Sequence, residues 1–536
     1  MLRNVLGAYL DSVTERQLNL PLLLLFPAMG YYDVHFTHGA AEHGKDFIAK
    51  KVENGEVVQY AFQSKIGDIT QATWRNTILG QVLEALTTGI SHANFDTSLP
   101  RMVVLITTGD LVGNAGNSVQ SFKDDTVQRM PGRSLDFWGR SQLIERFERY
   151  GLAGAYRATA AGFADYGQFF MLYGSAMQGR VSDREIEEHS RRWNDVSLDR
   201  DKRLLLCALE SEILAQQCIA QGFHYEAIVA HLARLRTLCA LAYTDDASYA
   251  PPLYTEAIAR LHDLCASYLG EIRRLWRERR DLLTLIVTAT NQGEYAVPPV
   301  MTYPIQCARI IDIAALAFFT TTEAERGETA SFLEEFILAE PGCCHPPGNR
   351  YTVGIVLAIL ILLSRNRRES VRQALHHVTT WLCDRYEQGV GLAGHEATEG
   401  VETMTLLAYP FASVEVTESR SSLLATAMCD LAAFLGDGDL FGDIVNDIKA
   451  CDIYPEYWQP QDTAGVCSIE SADVTHVPNV EFADVLTDFH RYEHAPHLLQ
   501  EPESFHVADL HGATALVVLM VLLRDRYFPK LWPVLI

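Results

Sequence analysis

The dipeptide Asn54-Gly55 constrains the first part of this 536-residue chain more than any other feature. It stands between two extended runs, Asp46 to Lys51 and Val57 to Lys65. Asn-Gly in that setting is the strongest short-range signal for a β-hairpin with a two-residue turn. Folding one arm onto the other has a chemical consequence. Gln63 and Lys65 are separated by one residue, so both side chains leave the same face of their strand. Asp46 heads the first arm and returns beside Gln63 through the turn. A carboxylate, an amide and an amine are thereby aimed at one spot, on a hairpin whose neighbouring positions are Phe47, Phe62 and Ile66.

The sequence around the hairpin alternates helical and extended signals as far as residue 155. "NVLGAYLDSVTERQLNLPLLLLFPAMG" has helical spacing, with Pro21 marking a break or a second helix start. A loop rich in Gly and His follows, then the hairpin, then a long amphipathic helix over "ITQATWRNTILGQVLEALTTGI". "RMVVLITTG" has the uniform apolar character of a buried central strand. "SLDFWGRSQLIERFERYG" gives a last strand and a helix with Leu143, Ile144 and Phe147 on one face. Residues 1–155 are therefore expected to form an α/β sandwich around a small mixed sheet.

From residue 156 to 536 the pattern is almost wholly helical, with a break near 340–350 that suggests two subdomains. No 34-residue period is sustained, so a helical repeat array and an irregular helical domain both fit. The apolar stretches Val353 to Leu363 and Ala513 to Leu523 are shorter than the ~18–20 residues of a membrane span, and read as buried core helices. The N-terminus has no signal-peptide pattern. A cytoplasmic protein without membrane contact is expected, its 11 cysteines reduced. Cys343, Cys344 and His345 lack a second ligand pair, and default to core residues.

Charge separates the two regions. The net charge is −24, but residues 1–150 hold 14 basic and 16 acidic side chains, while the remainder holds 30 and 52. Only the N-terminal part is close enough to neutral to approach a polyanion without strong repulsion.

Asp46, Gln63 and Lys65 at this spacing resemble the PD-(D/E)xK nuclease superfamily, in particular its Mrr-like restriction-endonuclease branch, where QxK commonly replaces ExK. The likeness covers about the first 150 residues and includes "LDFWGRSQLIERFERYG" as the closing strand and helix. It implies a restriction-endonuclease-like fold and a metal-dependent deoxyribonuclease acting on DNA, with Asp46, Gln63 and Lys65 as the catalytic core. Mg2+ or Mn2+ would be held by Asp46, Gln63 and the Ser64 backbone carbonyl. Glu15 on the first helical segment is the candidate outer ligand, and Glu42 a further one. Arg75, Lys45 and His43 are candidate nucleic-acid contacts. Gln81 is a candidate supporting residue, and a solvated helix face accounts for Arg75 and Gln81 equally well.

The chain is thus expected to be a two-part endonuclease, its acidic helical region controlling activation or docking a protein partner or second copy. Conditional activation of that kind suits bacterial restriction or anti-phage defence. A catalytically weak nuclease fold serving as a nucleic-acid-binding scaffold, or as the subunit of an ATPase or helicase complex, is the competing expectation. No GxxxxGK[ST] sequence is present, so translocation would need a partner. Zinc binding by His35, His38 and His43 is disfavoured because no Cys lies nearby. His476, His490, His494, His497, His506 and His511 are read as structural.

Overall fold

A computed structural model describes residues 2–37, 44–152, 162–194, 199–244, 250–278, 299–321, 323–394, 420–460 and 474–478, with scattered positions among 402–406 and 517–532. The chain divides into two compact units, residues 1–173 with 192–217, and residues 174–191 with 218–536.

The first unit opens with α1 (Leu2–Ser12) and α2 (Glu15–Ala28). The break falls at Thr14 rather than at Pro21, which lies inside α2 together with Pro27. Thr14 and Gln17 form a reciprocal capping box, satisfying free N–H groups at the start of α2. Five strands follow: β1 (Tyr32–Phe36), β2 (Phe47–Glu53), β3 (Glu56–Lys65), β4 (Arg101–Thr107) and β5 (Arg133–Trp138). They lie side by side in chain order. The first three are antiparallel, while β4 runs parallel to β3 and β5 parallel to β4. Asn54 (φ 51°) and Gly55 (φ 86°) make the left-handed turn that matches strand twist, and Phe47 pairs with Phe62. The hairpin forms where the sequence places it.

Strand β1 occupies what reads as loop. Asp33 has a left-handed φ of 53° and the pairing slips between Tyr32 and His35, so alternation is broken within five residues. The expected long helix is continuous but not uniform. It runs as α3 (Gln71–Thr73), a π-helical segment (Trp74–Ile78) and α4 (Leu79–Thr87). Between β4 and β5 lies α5 (Ala115–Asp125), and α6 (Arg140–Arg146) follows β5 into a second π-helical segment, Phe147–Leu152.

Helices cover both faces of the sheet. Trp74, Ile78, Val82 and Leu86 pack on Ala61, Val103, Leu105 and Leu135 from one side. On the other, Phe26 of α2 stacks on Phe62 at 4.0 Å and meets Phe47 edge-on at 5.5 Å. Strand β3 is central and buried on both faces from Gln59 to Ser64. Its polar residues are therefore held away from water unless they are paired.

The second unit is mostly helical. Residues Thr352 to Leu362 of the helix Thr352–Ser364 are all buried, as the apolar stretch there implies. The described positions Val517, Val518, Met520, Val521 and Leu522 of the other stretch are buried too. Helix Pro299–Thr320 contains a window long and apolar enough to cross a membrane by length and composition, and 89% of that window is buried in the protein. A three-stranded sheet was not expected. It consists of β6 (Ser421–Ser422), β7 (Tyr454–Pro460) and β8 (Val474–Pro478). "YPEYWQP" reads as loop because of its two prolines, which fall at the second and last positions of β7. A buried ion-pair network crosses this unit. Asp183 accepts from Arg350 at 3.0 Å and lies 3.7 Å from Arg309, which donates to Glu226 at 3.2 Å. Arg524 donates to Asp312 at 2.9 Å.

Candidate functional site

Asp46, Gln63, Ser64, Lys65 and Glu15 come together at the end of the hairpin remote from its turn. Asp46 stands one residue before β2, with its backbone held on both sides. Its N–H donates to the Phe62 carbonyl at 2.8 Å and its carbonyl accepts from Thr37 N–H at 2.9 Å. The segment reaches this position past Gly44. Gly44 has φ 71°, and a Cβ there would collide with the backbone carbonyl oxygen of Gln81 on α4.

The Asp46 carboxylate is gripped unevenly. Oδ2 accepts from the Ser64 backbone N–H at 2.6 Å, the Ser64 hydroxyl at 2.9 Å and Gln63 Nε2 at 3.0 Å. Oδ1 has one long contact, to Gln63 Nε2 at 3.2 Å. Burial pushes the Asp46 carboxyl above the usual carboxylate range; the two Ser64 donors and the Lys65 charge act against that rise, and Glu15 adds to it. Lys65 is partly buried at the end of β3, and its ammonium donates to Glu15 Oε1 at 3.4 Å. Glu15 is half exposed at the first turn of α2, so this pair is a weak tether that another anion can exchange with.

Gln63 is 3% exposed, and its Oε1 is buried without a hydrogen-bond partner. An orphaned acceptor of that kind carries a desolvation cost of about 1–3 kcal/mol. A half-turn of the amide would exchange Nε2 for Oε1 and bring two oxygens together at Asp46. That arrangement is favourable only with a cation between them. Among the described residues there is no group of three or more His, Cys, Asp or Glu side chains placed to hold a metal. One carboxylate with neutral oxygens matches Mg2+ or Mn2+, hard ions that retain several waters, and does not match zinc. The residues present fit a divalent cation held chiefly by Asp46.

Other expected residues fare differently. Arg75 is exposed on the π-helical segment, available to a phosphate. Lys45 is 3% exposed, and burial, with Arg101 nearby, lowers its ammonium to about 8. The Glu84 charge acts against that lowering. Gln81 Oε1 is buried without a partner. His35 lies on β1, its ring 4.0 Å from that of His92 and its Nε2 2.8 Å from Asp33. Glu42, His38 and His43 lie outside the described residues, as do His490, His494, His497, His506 and His511. Cys343 and Cys344 are buried thiols, and His345 stacks on Trp381 at 4.4 Å. The Ser64 side chain was not foreseen, because it occupies the unconstrained position of QxK.

Comparison of the chain with protein-family models, with curated proteins and with solved structures returned no match.

Proposed function

We propose that the first unit is a divalent-cation-dependent deoxyribonuclease of restriction-endonuclease-like fold, with Asp46, Gln63 and Lys65 as its catalytic core. The observation that carries the reading is the convergence of a carboxylate, a buried amide with an orphaned oxygen, and an ammonium at the end of one central strand. The sheet supports it further, since a three-stranded antiparallel meander is followed by a helix and a strand parallel to the third.

In this reading Asp46, the Gln63 amide oxygen and the Ser64 carbonyl would hold the cation. A bound Mg2+ or Mn2+ would polarise the scissile phosphate and acidify a nearby water. Lys65 leaves Glu15, orients the attacking water and offsets the charge that grows on the phosphate oxygens. Glu15, released from Lys65, is free to hold an outer water. Arg75 steadies the DNA backbone. The mainly helical second unit controls when cutting occurs, by docking a protein partner, a second copy or a signal, and such control suits a role in restriction or anti-phage defence.

The test is cleavage of plasmid, linear and modified phage DNA by the purified full chain with Mg2+. Asp46→Ala and Lys65→Ala should each lower cleavage by roughly 100-fold or more. Wild-type cutting by both variants would overturn the assignment. Binding of DNA without cutting, by all three proteins, would favour the scaffold reading.

A further inference from the structure

We propose that the Ser64 hydroxyl is the positioning group that fixes the Asp46 carboxylate for cation binding. This rests on the nuclease reading and adds to it a residue whose side chain that reading leaves unused.

Strand β2 stops short of Ser64. Its last paired residue at this end is Phe47, opposite Phe62, so Ser64 has no β2 residue across from it. The Ser64 N–H takes the Asp46 carboxylate as its acceptor, and the hydroxyl adds a second bond to the same oxygen. Ser64 is fully buried, so neither donor has water as an alternative partner. Both bonds fall on Oδ2, which leaves Oδ1, with its one 3.2 Å contact from Gln63, as the oxygen for another ligand.

Gln63 is the third donor to this carboxylate, but it cannot remain one when its amide oxygen serves a cation. Turning Oε1 inward removes the 3.0 and 3.2 Å contacts that Nε2 makes to Asp46. In the loaded site Ser64 then supplies both remaining donors to Oδ2. Of those two, the backbone N–H is fixed by β3, whereas the hydroxyl is the one a substitution can remove. Loss of an outer hydrogen bond to a ligating carboxylate typically weakens metal binding about 10–100-fold.

A strand-end cap without a role in the site would also place Ser64 here, and the two are separable. Mn2+ binding to the metal-stripped full chain would be measured by calorimetry for wild type, Ser64→Ala, Ser64→Thr and Asp46→Ala, with metal-free melting as a check on folding. Expected are Asp46-dependent binding in wild type, a dissociation constant about 10–100-fold higher in Ser64→Ala, and recovery to within about threefold in Ser64→Thr, which keeps the hydroxyl. A Ser64→Ala protein that binds Mn2+ like wild type overturns the inference while leaving the nuclease reading intact. So does a Ser64→Thr protein that melts like wild type but binds as weakly as Ser64→Ala. Wild-type binding that survives Asp46→Ala, or no binding at all, overturns the nuclease reading and this inference with it.

Discussion

Replacing Gln63 with Glu should destabilise the metal-free protein and tighten its hold on a cation. The new carboxylate oxygen would stand where Nε2 now lies, 3.0 and 3.2 Å from the Asp46 oxygens. Two full charges at that distance repel by about 5 kcal/mol even at an effective dielectric constant of ~20. Protonating one of them at pH 7 costs less, about 3.7 kcal/mol from a reference pKa of ~4.3. The pair therefore takes up a proton, and the loss of stability at pH 7 is capped near that figure. A shared proton recovers part of it, leaving an expected deficit of about 2–4 kcal/mol, or a melting shift of roughly 5–15 °C for a unit of this size. Because the folded pair titrates above the unfolded value, the deficit is absent below about pH 4, grows as pH rises, and levels off at the raised folded pKa. Saturating Mn2+ should close the gap, because it binds the folded state and neutralises both carboxylates. The assay is calorimetric melting of the full chain at pH 4.5 and 7, with and without Mn2+. A Gln63→Glu protein that melts with wild type at pH 7 without metal, or gains no more than wild type from Mn2+, would refute the reasoning.

Gly44→Ala should cost about 1–2 kcal/mol for the left-handed backbone alone, and more because its Cβ meets the Gln81 carbonyl oxygen. Displacing Asp46, two residues on, should also cut DNA cleavage roughly tenfold or more; chemical denaturation and plasmid assays read the two effects. Asp183→Ala strips Arg350 and Arg309 of a buried partner and should destabilise the second unit by about 3–5 kcal/mol. In wild type, burial raises the Asp183 carboxyl, but Arg350 and Arg309 outweigh it and hold it at about 2. Its contribution of about 2–3 kcal/mol is present above pH ~4 and lost as pH falls towards 2. Urea midpoints across that range should therefore fall in wild type, and the neutral replacement Asp183→Asn should show a smaller slope.

The hairpin was legible because one dipeptide fixes the turn, and the turn fixes which residues oppose each other. Asp46 beside Gln63, with Lys65 following on the same strand, needed only alternation. What the sequence could not show came from backbone detail and long-range contact. Strand β1 was hidden by the left-handed Asp33 and a slipped register. Pro21 looked like a helix stop, but the capping box at Thr14 defines the boundary instead. Lys45 adjoins the candidate site in sequence, yet it is buried in the interior near Arg101 of β4. The Ser64 side chain showed nothing in the pattern, because its bond to Asp46 depends on where β2 stops. The bond from Arg350 to Asp183 joins residues 167 positions apart, beyond the reach of any local signal.

The most direct test is strand cleavage of supercoiled plasmid by the metal-stripped full chain as Mg2+ is added back. Nicked and linear DNA should accumulate with rising Mg2+ in wild type, with no products in chelator and none from Asp46→Ala at any concentration. Cleavage that persists in chelator, or that Asp46→Ala retains at the wild-type rate, would contradict a cation-dependent site at Asp46.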